Sequence, residues 1–126
     1  MLDHCSIGVS DYKKSCNFYD AILAPLGYKK VMDFGTAAGY GATPEQPMFW
    51  LGAPEDAQPI ASRGTHVAFS APNRKAVDTF YAVAIKAGGK DNGKPGLRPN
   101  YHPNYYGAFV IDLDGHHIEA VCHKPE

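Results

Sequence analysis

Short stretches of alternating apolar and polar side chains open each half of the chain, at residues 4–10 and 66–71. A period of two predicts a β-strand with one apolar face. After each stretch the apolar residues recur every three or four positions, which predicts an amphipathic helix covering that face. Ser10 or Asp11 is a suitable N-cap for the first helix, and glycines at 27 and 88–89 end the two helices. The apolar helix positions are Tyr12, Cys16, Tyr19, Leu23 and Leu26, then Val77, Phe80, Tyr81, Ala84 and Ile85.

The two halves are copies of one unit. When the chain is shifted by 62 positions, residues 3–28 lie over residues 65–90 without a gap. Several identities then fall in register, more than chance produces over so short a stretch, which supports an internal duplication. The identical pairs are His4 and His66, Lys13 and Lys75, Phe18 and Phe80, Tyr19 and Tyr81, and Gly27 and Gly89.

Short segments separated by turns follow each predicted helix. They are residues 28–34, 37–42 and 47–52 in the first half, and 106–112 and 116–123 in the second, the last two joined by Asp114-Gly115, a hairpin dipeptide. Residues 90–104 show little periodicity, so we predict a loop with one short strand inside it. Each half therefore reads strand–helix–strand–strand–strand. We predict a single α+β domain with module one at 1–57, a linker at 58–64 and module two at 65–126.

Composition excludes several classes of protein but does not identify the function. The chain has 126 residues, a formal net charge of −1 and 20% charged residues, so we expect no nucleic-acid partner. No apolar run approaches the ~18 residues of a membrane span, and the N-terminus lacks the basic and apolar regions of a signal peptide. Cys5, Cys16 and Cys122 show no C-x-x-C spacing, which favours reduced thiols and a cytoplasmic location.

Three side chains form a candidate metal site. His4 and His66 occupy equivalent positions of the repeat, on the polar side of their strands. In the last predicted strand, Glu119 lies on the face opposite Ile118 and Ala120, and so on the same side as the histidines. A carboxylate on an inner face is costly unless it is paired or coordinated. Two imidazoles and one carboxylate form a recurrent divalent-metal site with open positions.

These residues resemble the vicinal-oxygen-chelate superfamily, which includes glyoxalase I, fosfomycin-resistance thiol transferases, extradiol dioxygenases, methylmalonyl-CoA epimerase and bleomycin-resistance proteins. The matching runs are residues 4–27, 65–69 and 112–120. The resemblance implies two tandem βαβββ modules that form an open eight-stranded cup around a divalent metal ion, Zn, Ni, Mn or Fe(II). It also implies that His4, His66 and Glu119 are the metal ligands.

The reaction class stays open at the level of sequence. Glyoxalase I enzymes carry a fourth ligand in the last strand of module one, and residues 47–52 contain no carboxylate or imidazole. The thiol transferases and the extradiol dioxygenases commonly have a Tyr ten residues before the Glu, where this chain has Phe109. Ser6 matches a hydroxyl that the thiol transferases place near their substrate, and His102 lies near the acid–base histidine of the dioxygenases.

The loop 98–106 is rich in side chains that suit a lid over the metal. We predict His102 as the acid–base residue and Tyr105 or Tyr106 as a hydrogen-bond donor. Arg98 is a candidate for holding a substrate carboxylate. Tyr101 completes the substrate-binding candidates of this loop. Ser6 and Trp50 are the corresponding candidates in module one.

The main hypothesis is a metal-dependent enzyme, lyase-like or dioxygenase-like, that acts on a small oxygenated molecule through bidentate chelation. The alternatives are a metal-free small-molecule-binding protein of the bleomycin-resistance type and a thiol transferase of the fosfomycin-resistance type. Open sheet edges and the short chain favour a homodimer.

Overall fold

The chain forms two βαβββ modules in the predicted order. A computed structural model describes residues 1–53, 61 and 64–126, so most of the predicted linker at 58–64 lies outside the described residues. Module one contains β1 (Cys5–Gly8), α1 (Tyr12–Leu23), a 3-10 turn (Ala24–Leu26), β2 (Lys29–Asp33), β3 (Ala37–Gly41) and β4 (Phe49–Gly52). Module two contains β5 (His66–Ser70), α2 (Arg74–Lys86), β6 (Lys90–Leu97), β7 (Tyr106–Ile111) and β8 (His117–Cys122).

Each module has its own four-stranded sheet. The strand order is β1-β4-β3-β2 in one sheet and β5-β8-β7-β6 in the other. The first pair of each sheet is parallel and the other pairs are antiparallel. Helices α1 and α2 pack against each other and against one side of the sheets, and we call the other side of each sheet its open face. The α+β fold and its two tandem modules are therefore confirmed.

Local sequence signals account for the helix ends. The Asp11 carboxylate accepts a hydrogen bond from the Lys14 amide at 3.1 Å, and the Asn73 side chain accepts one from the Ala76 amide at 2.8 Å; both are N-caps. Gly27 follows the first helical segment with a φ of 92°, a left-handed conformation that favours glycine. No helix in the described part of the chain is long and apolar enough to cross a membrane.

The segment 90–104 differs from the prediction. An eight-residue strand, β6, occupies Lys90–Leu97, and only the residues after it form the loop. The pairing of β6 with β7 shifts register around Gly93, where φ is 146°. A side chain at this position would meet Phe109, because its Cβ would lie 2.8 Å from the ring. Such irregular pairing breaks the period of two, which is why the pattern underestimated this strand.

The hairpin between β7 and β8 joins the two modules. Asp112 at its base is buried and accepts a hydrogen bond from the Tyr19 hydroxyl of α1 at 2.5 Å. The His116 Nε2–H donates to the Gly8 carbonyl at 2.7 Å, and the Ser10 amide donates to the Asp114 carboxylate at 3.1 Å. The D-x-D-G-H run thus anchors module two to the first strand and helix of module one.

We expect Tyr19→Phe to lower the free energy of unfolding by about 1–3 kcal/mol, since it leaves a buried carboxylate with one donor fewer. Urea denaturation followed by circular dichroism measures this change. Tyr101→Phe is the matched control: Tyr101 is 63% exposed, and its loss should change stability by less than about 0.5 kcal/mol. Equal stabilities for the two variants would contradict an anchoring role for the Tyr19 hydroxyl.

Candidate metal site on the open face of module two

Glu119 is a buried carboxylate on the open face. Its neighbours in β8, Ile118 and Ala120, are 1% and 0% exposed and belong to the core beneath the helices, so Glu119 points the other way. It is nevertheless only 2% exposed. In the parallel pairing of β5 and β8, Glu119 lies beside Ala68, and the His66 Nε2 is 3.5 Å from its Oε2. The structure therefore brings together two of the three predicted ligands.

Tyr105 holds the other oxygen of the same carboxylate. Its hydroxyl donates a short hydrogen bond to the Glu119 Oε1. Gly107 makes room for this contact, since a Cβ there would lie 3.1 Å from the Tyr105 ring and 3.4 Å from Glu119 Oε1. Burial and the hydrogen bond to Glu119 raise the pKa of Tyr105 well above its ordinary value of 10.0. The phenol is therefore a protonated donor at neutral pH.

A cavity of about 510 Å³ opens in front of this pair, a volume within the range of small-molecule sites. Phe109 lies beside Glu119 in the register of β7 and β8. The Arg98 guanidinium lies 5.3 Å above the centre of the Phe109 ring and donates to the Lys94 carbonyl at 2.7 Å. Arg98 thus packs on Phe109, which lines the cavity, but Arg98 is not itself one of the lining residues. Besides His66 and Glu119, the lining includes Asn92, Tyr101, Tyr105, Phe109 and His117.

Among the described residues His4 does not join His66 and Glu119 in a three-ligand group, although it lines a cavity of about 520 Å³ together with His66. It precedes β1 with its side chain 54% exposed, and its Nδ1 is 2.6 Å from the Asp3 carboxylate. Together with Ser6 and Trp50 it lines a second cavity, of about 580 Å³, on module one. Within the described ranges 1–53, 61 and 64–126, no three His, Cys, Asp or Glu side chains are close enough to share a metal ion.

The loop between β6 and β7 places only part of its predicted residues in the lining of the Glu119 cavity. Tyr101 lines the Glu119 cavity, and its ring packs edge-on to Tyr105 with centres 5.1 Å apart. His102 instead accepts a hydrogen bond from the Asn104 amide at 3.1 Å, and its ring lies 5.5 Å from that of His123. His102 is outside the cavity lining given above.

Tyr106 lies on the helix side of β7, against the expectation that it shares the lid with Tyr105. Its hydroxyl donates to the Asp78 carboxylate of α2 at 2.7 Å, and the Arg74 guanidinium lies 5.3 Å from its ring centre. The physical reason is strand alternation: Tyr106 is the first residue of β7, so its side chain projects opposite to Gly107 and Phe109. Tyr106 therefore packs against helix α2 and does not face the Glu119 cavity.

Two polar side chains at this site were absent from the predicted set. Asn92 of β6 lies 3.4 Å from the His117 Nδ1 through its amide nitrogen, and both line the Glu119 cavity. Strand alternation places His117 on the face of Glu119, so the sequence contains a signal for it. The sequence contained no such signal for Asn92, because the segment that forms β6 was predicted to be mostly loop.

Comparisons with known proteins agree with this architecture. The family model for the glyoxalase/bleomycin resistance protein/dioxygenase superfamily matches residues 1–120. A glyoxalase/bleomycin resistance protein from Albidiferax ferrireducens is 31% identical, with a TM-score of 0.86 over 97% of this chain and 98% of that one. A family enzyme from Burkholderia phytofirmans is 16% identical, with a TM-score of 0.73 and 98% of each chain covered.

A glyoxalase I mutant from Zea mays shares the fold at a TM-score of 0.71 and 23% identity, over 95% of this chain and 45% of that one. No curated protein sequence matched the chain. The family match spans nearly the whole sequence, and a relative of the same length shares both sequence and fold. The chain belongs to the glyoxalase/bleomycin resistance protein/dioxygenase superfamily.

Proposed function

We propose that this protein is a divalent-metal-dependent enzyme that acts on a small oxygenated molecule in a lyase-like or dioxygenase-like reaction. The observation that carries the proposal is the buried Glu119 carboxylate, which faces the His66 imidazole across 3.5 Å at the base of a cavity. A carboxylate 2% exposed is costly to bury unless a cation accompanies it.

The donor set suits a divalent metal. Carboxylate oxygen and imidazole nitrogen each coordinate zinc at about 2.0–2.2 Å, and two such ligands on one ion lie close to the separation of His66 and Glu119. The Tyr105 hydroxyl holds the carboxylate oxygen that faces away from His66. Hydrogen bonds of this type orient a ligand and tune its affinity. His66 and Glu119 would thus hold the ion, with Tyr105 as their positioning residue.

We infer that His4 of a second copy completes the site in a homodimer. Within one chain His4 and Glu119 line separate cavities, and the cavity of about 520 Å³ that His4 shares with His66 does not include Glu119. Strands β1 and β5 are both sheet edges, which leaves each module open to a partner. Pairing the open faces of two chains would place equivalent positions of the repeat opposite each other.

The chain's own residues suit chemistry on an oxygen-rich substrate. A bound divalent ion would supply Lewis-acid stabilisation of negative charge on substrate oxygens. Tyr105 donates its hydroxyl hydrogen bond to the carboxylate, and we assign it the role of a hydrogen-bond donor, since its raised pKa makes it a poor acid at neutral pH. His102, the predicted acid–base residue, lies outside the cavity lining. Tyr101 and Phe109 flank the cavity with aromatic rings and limit water. Arg98 and Ser6 remain proposed substrate contacts.

The test is the metal content of protein purified without a histidine tag. We expect about one divalent ion per chain after reconstitution with Mn, Fe(II), Co, Ni or Zn. Oxygen uptake with the Fe(II) form would assign a dioxygenase, and turnover without oxygen uptake a lyase, isomerase or thiol transferase. Failure of every ion to bind would contradict the proposal.

The second candidate is a metal-free small-molecule-binding protein. It is favoured by one observation, the absence of a three-ligand group within a single chain in the described residues. This candidate predicts that ligand binding persists in metal-free protein and that Glu119→Gln leaves it unchanged. The metal-reconstitution experiment therefore separates the two functions.

A further inference from the structure

Trp50 occupies the position in module one that Glu119 occupies in module two. Trp50 pairs with Ser6 in the parallel register of β1 and β4, and Glu119 pairs with Ala68 in that of β5 and β8. Ser6 and Ala68 are themselves equivalent in the sequence repeat. The duplication therefore carries a carboxylate at this position in one copy and a large aromatic ring in the other.

The residues around Trp50 hold its ring against the sheet. The facing residue in β3 is Gly39, where a Cβ would lie 2.9 Å from the indole, so any larger residue would displace it. The indole Nε1–H donates to the Pro47 carbonyl at 3.0 Å. Both contacts fix the orientation of the ring on the open face.

Two further apolar side chains extend this surface, which we call the aromatic wall (Met32, Phe34 and Trp50). Met32 follows Gly39 in the same row of the sheet and is 39% exposed. Phe34 is 69% exposed, and its ring is parallel to the indole within 2°, with centres 6.2 Å apart. Contiguous exposed apolar side chains are typical of binding surfaces.

We infer that the aromatic wall binds a planar apolar group of the substrate, so that the substrate class is a small molecule with neighbouring oxygens and an aromatic ring. The oxygen requirement rests on the proposed function; the ring requirement rests on the wall itself. Trp50 lines the same cavity of about 580 Å³ as His4 and Ser6. A ring stacked on Trp50 would therefore lie beside the part of module one that carries the proposed ligand, His4, while Met32 and Phe34 extend the wall beyond that lining. Flat rings favour offset stacking on aromatic side chains.

The probes are 3-phenyllactate and lactate, which share a hydroxyl beside a carboxylate and differ by one aromatic ring. Trp50 is the only tryptophan in the chain, so its fluorescence reports on the wall directly. In the Co²⁺-loaded protein, visible absorption reports independently on the metal. We expect 3-phenyllactate to bind at least about tenfold more tightly than lactate, because the ring buries apolar surface, and to change the Trp50 fluorescence where lactate does not.

Phe34→Ala should reduce this preference to within about threefold, and its exposed position leaves folding intact. Ile85→Ala, an equally apolar and 39% exposed change on α2, should keep the preference. Equal binding of the two probes, or an unchanged preference in Phe34→Ala, would contradict substrate binding by the aromatic wall. A Phe34→Ala effect confined to dimer dissociation would also contradict it. Fluorescence quenching by 3-phenyllactate without any Co²⁺ uptake supports the wall and contradicts the metal-dependent function.

Discussion

Glu119→Gln is expected to weaken divalent-metal binding by more than about 100-fold, beyond the 10–100-fold loss typical of residues that only support a ligand. The substitution keeps the shape of the side chain and its contact with Tyr105, and removes the negative charge that faces His66. Isothermal titration with Zn²⁺ or Co²⁺ measures the affinity, and turnover should fall with it.

Stability measured without metal distinguishes loss of a ligand from loss of the fold. We expect the metal-free Glu119→Gln protein to be at least as stable as the parent, because the change removes a buried charge that lacks a cation. Urea denaturation in the presence of a chelator gives this comparison. A variant that is folded and still binds metal with the parent affinity would contradict the assignment of Glu119.

The two histidines at the start of β5 and β8 form a matched pair for the same question. His66 and His117 are register partners, yet the His66 ring is the one that faces the Glu119 carboxylate. His66→Ala should abolish metal binding, and His117→Ala should leave most of it. Tyr105→Phe should weaken binding about tenfold as the loss of a supporting hydrogen bond, whereas Tyr106→Phe, on the helix side, should have no effect.

Mixing two inactive variants is expected to restore activity. If His4 of one chain meets His66 and Glu119 of another, His4→Ala and Glu119→Gln proteins are each inactive as homodimers. A mixed dimer then contains one site with both changes and one site with neither. Co-expression at equal levels makes half of the dimers mixed, so about a quarter of all sites are intact. Metal content and turnover should reach that fraction of the parent values.

The pairing His66→Ala with Glu119→Gln is the internal control. Both changes fall on the same module, so mixed dimers of these two variants contain no intact site and should stay inactive. No recovery in the His4 mixture would place all ligands within one chain and contradict the shared site. Recovery in the control would mean that His66 and Glu119 act from different chains, and would contradict their pairing within module two. Size-exclusion chromatography with light scattering confirms that mixed dimers are present.

The sequence pattern was sufficient for the modules and for one half of the site. Strand alternation alone placed Glu119 on the face away from Ile118, because that face follows from counting along a single strand. The same counting failed for β6, whose register shifts around Gly93 interrupt the period of two. Tyr106 shows a different limit: the strand beginning at residue 106 was predicted, and alternation with the buried Ala108 and Val110 places Tyr106 on the helix side, but the residue was assigned to the lid for its hydroxyl.

The position of His4 depends on a different level of structure. The repeat correctly relates it to His66 as an equivalent residue, but equivalence within a module does not determine the distance between modules. That distance follows from how the two sheets are arranged around the packed helices, through contacts such as Tyr19 with Asp112. Tyr19 and Asp112 are 93 positions apart in the sequence, so the contact between them produces no local periodic pattern from which it could be predicted.

The hairpin contacts of Asp112 and His116 also bear on how the two copies can diverge. Each copy contributes half of a hydrogen-bonded joint: module one supplies the Tyr19 hydroxyl and the Gly8 carbonyl, and module two supplies their partners. A substitution at the joint in one module therefore removes a hydrogen-bond partner from the other module. Positions away from the joint, such as Trp50 and Glu119, have no hydrogen-bonded partner in the other copy to match, and there the two copies carry different chemistry.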